Sequence, residues 1–142
     1  MSDVRIDHLG IAVRSLNAAL SFYERALGLT AYGQEVVEQE KVRVAMLPAA
    51  GGGPPERLRP RIELLEATAE DSPVARFIAK RGEGLHHLAL RVPNLDAAVD
   101  RLRTAGARLV SQSVQAGAGG HRYIFVHPSS TGGVLLELIE GD

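Results

Sequence analysis

The chain has 142 residues, 45% of them apolar and 23% charged, and its 16 basic and 17 acidic side chains leave a formal charge of −1. That is the length and composition of one soluble globular domain, without the basic excess that would hold a nucleic-acid backbone or an anionic membrane. Cysteine is absent, which excludes disulfides, a thiol nucleophile and thiolate metal sites, so any transition metal must be held by imidazole and carboxylate. The opening MSDVRIDHLG lacks the basic-then-apolar pattern of a secretory leader, and no apolar run approaches a membrane span. A soluble, cytoplasmic protein is therefore expected.

In chain order, the first element is a short strand that places Leu9, Ile11 and Val13 on one face and His8, Gly10 and Ala12 on the other. Ser15 stands where a helix N-cap belongs; Leu16, Ala19, Leu20, Tyr23 and Leu27 follow at helical spacing, and Gly28 marks the end. Strands are predicted over Thr30–Val37, Lys41–Leu47 and Arg61–Glu66, with a mobile Gly- and Pro-rich loop, AAGGGPPERLRP, before the last. A short helix over Glu70–Arg81, with Pro73 near its start, joins this half to the next.

The second half repeats the first. His8 to Leu20 set against His87 to Val99 gives six identities in 13 pairs at a spacing of 79 residues. Asn94 takes the place of Ser15; Leu95, Ala98, Val99 and Leu102 form the helical stripe, and Gly106 ends it. Strands are predicted over Arg108–Ser113, His121–Val126 and Val134–Glu140, and LELIE in the last matches IELLE at Ile62–Glu66. The chain thus reads as a single α+β domain over 1–142, built from two tandem βαβββ modules (about 4–68 and 84–141) and a linker helix (about 70–82). Neither module has many apolar positions, so the two are expected to share one curved, partly open barrel-like sheet.

Four polar residues occupy equivalent places in the repeat, His8 with His87 and Glu63 with Glu137, each inside an otherwise apolar strand. A carboxylate there is costly unless paired or metal-bound. Brought together by a pseudo-twofold axis, two imidazoles and two carboxylates suit an octahedral Co, Mn, Ni, Fe or Zn site with two positions open. His86 must face away from His87 and reads as structural. His121 and His127 have no repeat partner, and His127, before Pro128, reads as a turn residue.

These modules and ligands resemble the vicinal oxygen chelate (glyoxalase/bleomycin resistance/dioxygenase) superfamily. IDHLGIAV, SFYERALGL, RIELLEATAEDSPVARFIAKRGEGLHHLAL and GAGGHRYIFVHPSSTGGVLLELIE resemble its methylmalonyl-CoA epimerases in particular. The likeness spans nearly the whole chain and is weakest around Gly51–Pro60. It implies a glyoxalase-like fold, a metal held by His8, Glu63, His87 and Glu137, and a homodimer acting in propionate metabolism. The metal would be Co2+, or else Mn2+, Ni2+, Zn2+ or Fe2+. The implied reaction interconverts (R)- and (S)-methylmalonyl-CoA by removing and returning the C2 proton through a metal-stabilised enolate. No further cofactor is implied.

Some members carry a Glu base on the third strand, where this chain has Val44. Glu137 and Glu63 are then the candidate catalytic bases, one for each face. Arg57, Arg59 and Arg61 are candidates for the CoA phosphates, and Arg91 for a carboxylate. Two other functions share the fold: a glyoxalase I isomerising a hemithioacetal to a lactoyl thioester, and a metal-free binding protein of the resistance type. The full ligand set speaks against the latter.

Overall fold

The computed structural model of the chain describes residues 3–48, 60–117 and 120–141. It divides into two compact units, one running from His8 to His86 and the other joining the described residues on either side. The predicted Gly- and Pro-rich loop falls, from residue 49 to residue 59, outside the described residues.

The elements follow in the order β1 (Arg5–Ala12), α1 (Leu16–Leu27), β2 (Gly33–Val37), β3 (Val42–Pro48), β4 (Arg61–Ala67) and α2 (Pro73–Arg81). After these come β5 (Gly84–Val92), α3 (Leu95–Thr104), β6 (Gln115–Ala116), β7 (Arg122–Val126) and β8 (Leu136–Glu140). In the first unit the strands lie in the order β2-β3-β4-β1, with β1 parallel to β4 and the other pairs antiparallel. The second has β5-β8-β7-β6, again with only the first pair parallel. A parallel pair needs a crossover, and α1 with β2–β3 or α3 with β6–β7 supplies it. The same βαβββ topology therefore occurs twice, as the repeat predicts, and defines a glyoxalase-like α+β fold.

Both module helices start as predicted. Ser15 accepts from the Ala18 N–H at 3.1 Å and Asn94 from that of Ala97 at 3.0 Å, satisfying donors that the first turn leaves open. A second anchor is also repeated. Glu66 on β4 accepts from the Leu16 N–H at 3.1 Å and pairs with Arg43 of β3 at 3.2 Å. Glu140 on β8 accepts from the Leu95 N–H at 3.3 Å and pairs with Arg122 of β7 at 3.0 Å. One carboxylate thus ties the helix N-terminus, where negative charge is favoured, to the last strand of its module. Gly28 closes α1 in the left-handed conformation that its missing Cβ permits.

Packing follows the alternation of the strands. Leu16 and Leu20 of α1 bury against Val13, Ala45, Leu47 and Leu64, while Val74 of α2 packs with Ala12, Val42, Val44 and Leu65. Leu64 and its neighbour Leu65 thus serve opposite faces of β4. In the second unit Leu95, Ala98 and Val99 of α3 pack on Val92, Ile124, Val126 and Leu138. The other face of that sheet carries Ala89, Tyr123, Phe125 and Ile139. Ser72, fully buried, caps α2 by accepting from Val74 and donates to the Glu40 carbonyl, which fixes α2 to the β2–β3 turn.

Two expectations shift in the second half. The strand predicted over Arg108–Ser113 is reduced to one bridge, Leu109 to Val126, followed by the two-residue β6. Ser111 donates to the Ser113 carbonyl and Arg103 takes that of Gln112, so side chains occupy groups a ladder would use. Strand β8 begins at Leu136 rather than Val134, because Thr131 Oγ1 holds the Val134 N–H in the preceding loop. On β1, the His8, Gly10 and Ala12 face is buried while Leu9 is 38% exposed.

Truncating the fully buried Ile124 to Ala is expected to cost about 2–5 kcal/mol, against under about 0.5 kcal/mol for the exposed Leu85→Ala, by urea unfolding. The hydrogen bond from Arg122 holds the Asp96 carboxyl below the usual carboxylate range. Its contribution is therefore complete above the unfolded-state pKa and is lost as pH falls through the folded one. An NMR titration should show a depressed Asp96 midpoint that returns to the ordinary range in Arg122→Gln.

Candidate metal centre

Each unit brings one of the two predicted His–Glu pairs together. In the first, His8 Nδ1 of β1 lies 3.3 Å from Glu63 Oε2 of β4. In the second, His87 Nε2 of β5 lies 3.1 Å from Glu137 Oε1 of β8. Both histidines are buried, at 3% and 8% exposure, and both glutamate side chains are 12% exposed.

Register explains why the same pair forms twice. In the parallel pair β1–β4, Gly10 stands opposite Glu63; in β5–β8, Ala89 stands opposite Glu137. The histidine is two residues before that small residue in each case, on the same face, so the contact runs diagonally across the pair. Glycine and alanine leave the carboxylate room to lean toward the imidazole.

The surroundings of the two pairs differ. Arg61, two residues before Glu63 on β4, donates to Glu63 Oε2 from Nε at 2.9 Å and approaches it through NH2 at 2.8 Å. The equivalent place before Glu137 is Leu135. His87 packs against the edge of Phe125 with ring centres 5.6 Å apart, and Phe125 stands edge-on to Tyr123 at 5.8 Å. The second pair is thus seated on an aromatic wall, whereas the first is braced by an arginine.

The remaining candidates fall into place individually. Val44 is buried in the cluster beneath α2, and no carboxylate stands there. His86 stacks edge-on against Phe77 at 5.1 Å, as expected of a structural residue. His127 caps the turn Pro128–Ser130 by accepting from the Ser129 N–H, and His121 is exposed. Arg61 is engaged with Glu63 rather than extended toward a phosphate. Arg57 and Arg59 lie outside the described residues. Arg91 does meet a carboxylate, that of Asp7, at 2.8 Å. Asp7 was not among the sequence candidates, although a charge inside an apolar strand, next to His8, was its signal.

Imidazole and carboxylate are donor types that suit a borderline first-row ion, and each module sets one of each side by side, the imidazole buried and the carboxylate largely so. A chain of tandem βαβββ modules has the architecture of the glyoxalase-like proteins. Residues 7–125 match the family described as the Glyoxalase/Bleomycin resistance protein/Dioxygenase superfamily, and the chain belongs to it. Within that superfamily its likeness is to the epimerases of malonyl thioesters. It is 35% identical over 135 residues to the mitochondrial methylmalonyl-CoA epimerase of Homo sapiens, covering 94% of this chain and 72% of that protein. It is also 35% identical over 136 residues to the ethylmalonyl-CoA/methylmalonyl-CoA epimerase of Cereibacter sphaeroides, covering 94% and 96%. A structure of a Streptomyces coelicolor methylmalonyl-CoA epimerase variant in complex with 2-nitronate-propionyl-CoA superposes with a TM-score of 0.87 at 38% identity, covering 96% of each chain.

Proposed function

We propose that this chain is a methylmalonyl-CoA epimerase, a single domain that interconverts the (R) and (S) forms by removing the C2 proton and returning it to the opposite face. The observation that carries this reading is the duplicated His–Glu pair at one register, in a chain alike along its length to epimerases of this substrate. His8, Glu63, His87 and Glu137 are the ligands we assign to one divalent ion, Co2+ first, with Mn2+, Ni2+, Zn2+ and Fe2+ as alternatives. Their mixed nitrogen and oxygen donors fit such an ion. When bound, it would supply Lewis acidity toward the thioester carbonyl and the carboxylate that flank C2.

Glu63 and Glu137 are the proton-handling groups in this scheme. Each carboxylate is largely shielded from water, which keeps an abstracted proton from being lost at once and strengthens its attraction for the acidic C–H. Arg61 fixes one oxygen of Glu63 and so orients the other. His87, wedged against Phe125, orients Glu137. Val44 beneath α2 supplies no base, which leaves the two glutamates to divide the two faces of the planar intermediate.

The same reading includes a homodimer and a cytoplasmic place in propionate metabolism. Among the described residues no helix is long and apolar enough to cross a membrane.

The deciding measurement is deuterium incorporation at C2 of methylmalonyl-CoA in D2O. Incorporation is expected with the metal-loaded protein, is lost on chelation and returns with added Co2+. The hemithioacetal of methylglyoxal and glutathione, offered in parallel, should not be isomerised; turnover of that substrate alone would identify a glyoxalase I instead. Glu63→Gln and Glu137→Gln should each lower kcat by about 100-fold or more, and full kcat with full metal content in Glu63→Gln would overturn the two-glutamate scheme.

A further inference from the structure

We infer that Arg91 and Asp7 form a positioning device for His8, the residue that follows Asp7 on β1; this rests on the metal-site reading above. Asp7 and His8 are both buried, at 6% and 3% exposure, so the alternation of β1 is broken where the candidate ligand stands. A charge at such a place needs a partner. Arg91 supplies one, with Nε 2.8 Å from Asp7 Oδ1 and with NH1 donating to the Glu140 carbonyl at 3.0 Å. The guanidinium fork is thereby fixed at both ends, which a lysine ammonium would not reproduce.

The path of the arginine is also built. A Cβ on Gly141 would lie 2.6 Å from Arg91 Cγ, at the base of the side chain where little movement is available. Gly141 therefore keeps open the lane along which Arg91 reaches Asp7. Its backbone N–H bonds the Val92 carbonyl at 2.7 Å, holding that lane against β5.

The repeat shows that the device belongs to one histidine only. Arg91 corresponds to Ala12, Gly141 to Ala67 and Asp7 to His86, which packs on Phe77 instead. The residue before His8 is thus held by an arginine that is itself anchored on the Glu140 carbonyl, and the residue before His87 by an aromatic contact. Arg91 and Asp7 touch no reacting atom in this scheme. They set the backbone, and with it the direction of the His8 ring.

The test is Co2+ binding to metal-free protein, by calorimetry and by the visible absorption of the bound ion, on wild type and three variants. Arg91→Met removes the fork. Gly141→Ala obstructs it while leaving both charges in place. The double variant Asp7→Leu/Arg91→Met replaces the ion pair by apolar packing, a change that commonly leaves stability intact. All three are expected to weaken Co2+ binding by about 10- to 100-fold, the usual cost of losing a residue that orients a ligand, and to alter the absorption spectrum. The double variant should keep a metal-free melting temperature close to that of wild type. Co2+ affinity and spectrum unchanged in Gly141→Ala and the double variant would overturn the inference, as would affinity losses that merely track the loss of metal-free stability. A wild-type protein that takes up no Co2+ overturns the metal-site reading and this inference with it. Wild-type binding matched by all three variants overturns this inference alone.

Discussion

A glutamate inside a strand must find a partner or stay out of the interior, and the diagonal contact between imidazole and carboxylate is how each module meets that demand. The contact exists only while β1 is parallel to β4, and β5 to β8, at one register, because a slip of one residue would turn either side chain to the other face. Much of each module serves to hold that register. The helix crossover makes the parallel pairing reachable, and the carboxylates of Glu66 and Glu140 tie each helix start to the last strand. Those two residues lie three positions beyond Glu63 and Glu137 and so face the other side of the sheet. The same short strand therefore carries its structural carboxylate on one face and its candidate ligand on the other.

Most of this was legible in the chain because it is written twice. Periodicity alone does not separate a strand histidine that packs from one that binds. Matching places in two halves did separate His8 and His87 from His86, His121 and His127. Helix starts at Ser15 and Asn94 were legible for a local reason: a side chain that caps its own helix needs no distant partner. What could not be read was anything set by contacts between distant segments. Arg61 looks like a loop-edge cation available to a phosphate and Arg91 like an inward cation awaiting some carboxylate, and only the folded chain shows them committed to Glu63 and Asp7. Likewise Arg108–Ser113 has the residues of a strand, but Ser111 and Arg103 satisfy its backbone from the side.

The departures from the repeat are as informative as the repeat. Duplication would give two equivalent half-sites, yet Arg61 is matched by Leu135 and Arg91 by Ala12. One histidine stands beside a pinned aspartate, the other beside a packed imidazole, and one glutamate is gripped by a guanidinium while the other faces an aromatic wall. Each exchange leaves the fold undisturbed, since the backbone pairing is the same on both sides. The differences fall on side chains close to the candidate ligands, where the two modules are free to take separate roles.

That Leu135 stands where the repeat would place a second Arg61 has a consequence for how an epimerase built this way would work. The two epimers of a remote carbon have nearly equal free energy, so the ratio of kcat/KM in the two directions is fixed by that equilibrium whatever the protein does. Unlike ends of the site cannot favour one product at equilibrium. They can shift the individual kcat and KM values, and they can decide how long each carboxylic acid keeps its proton before bulk water exchanges it. An enzyme with one glutamate held by a guanidinium and the other by an imidazole against an aromatic ring would then be thermodynamically even-handed and isotopically lopsided, its asymmetry recorded in which hydrogen survives turnover.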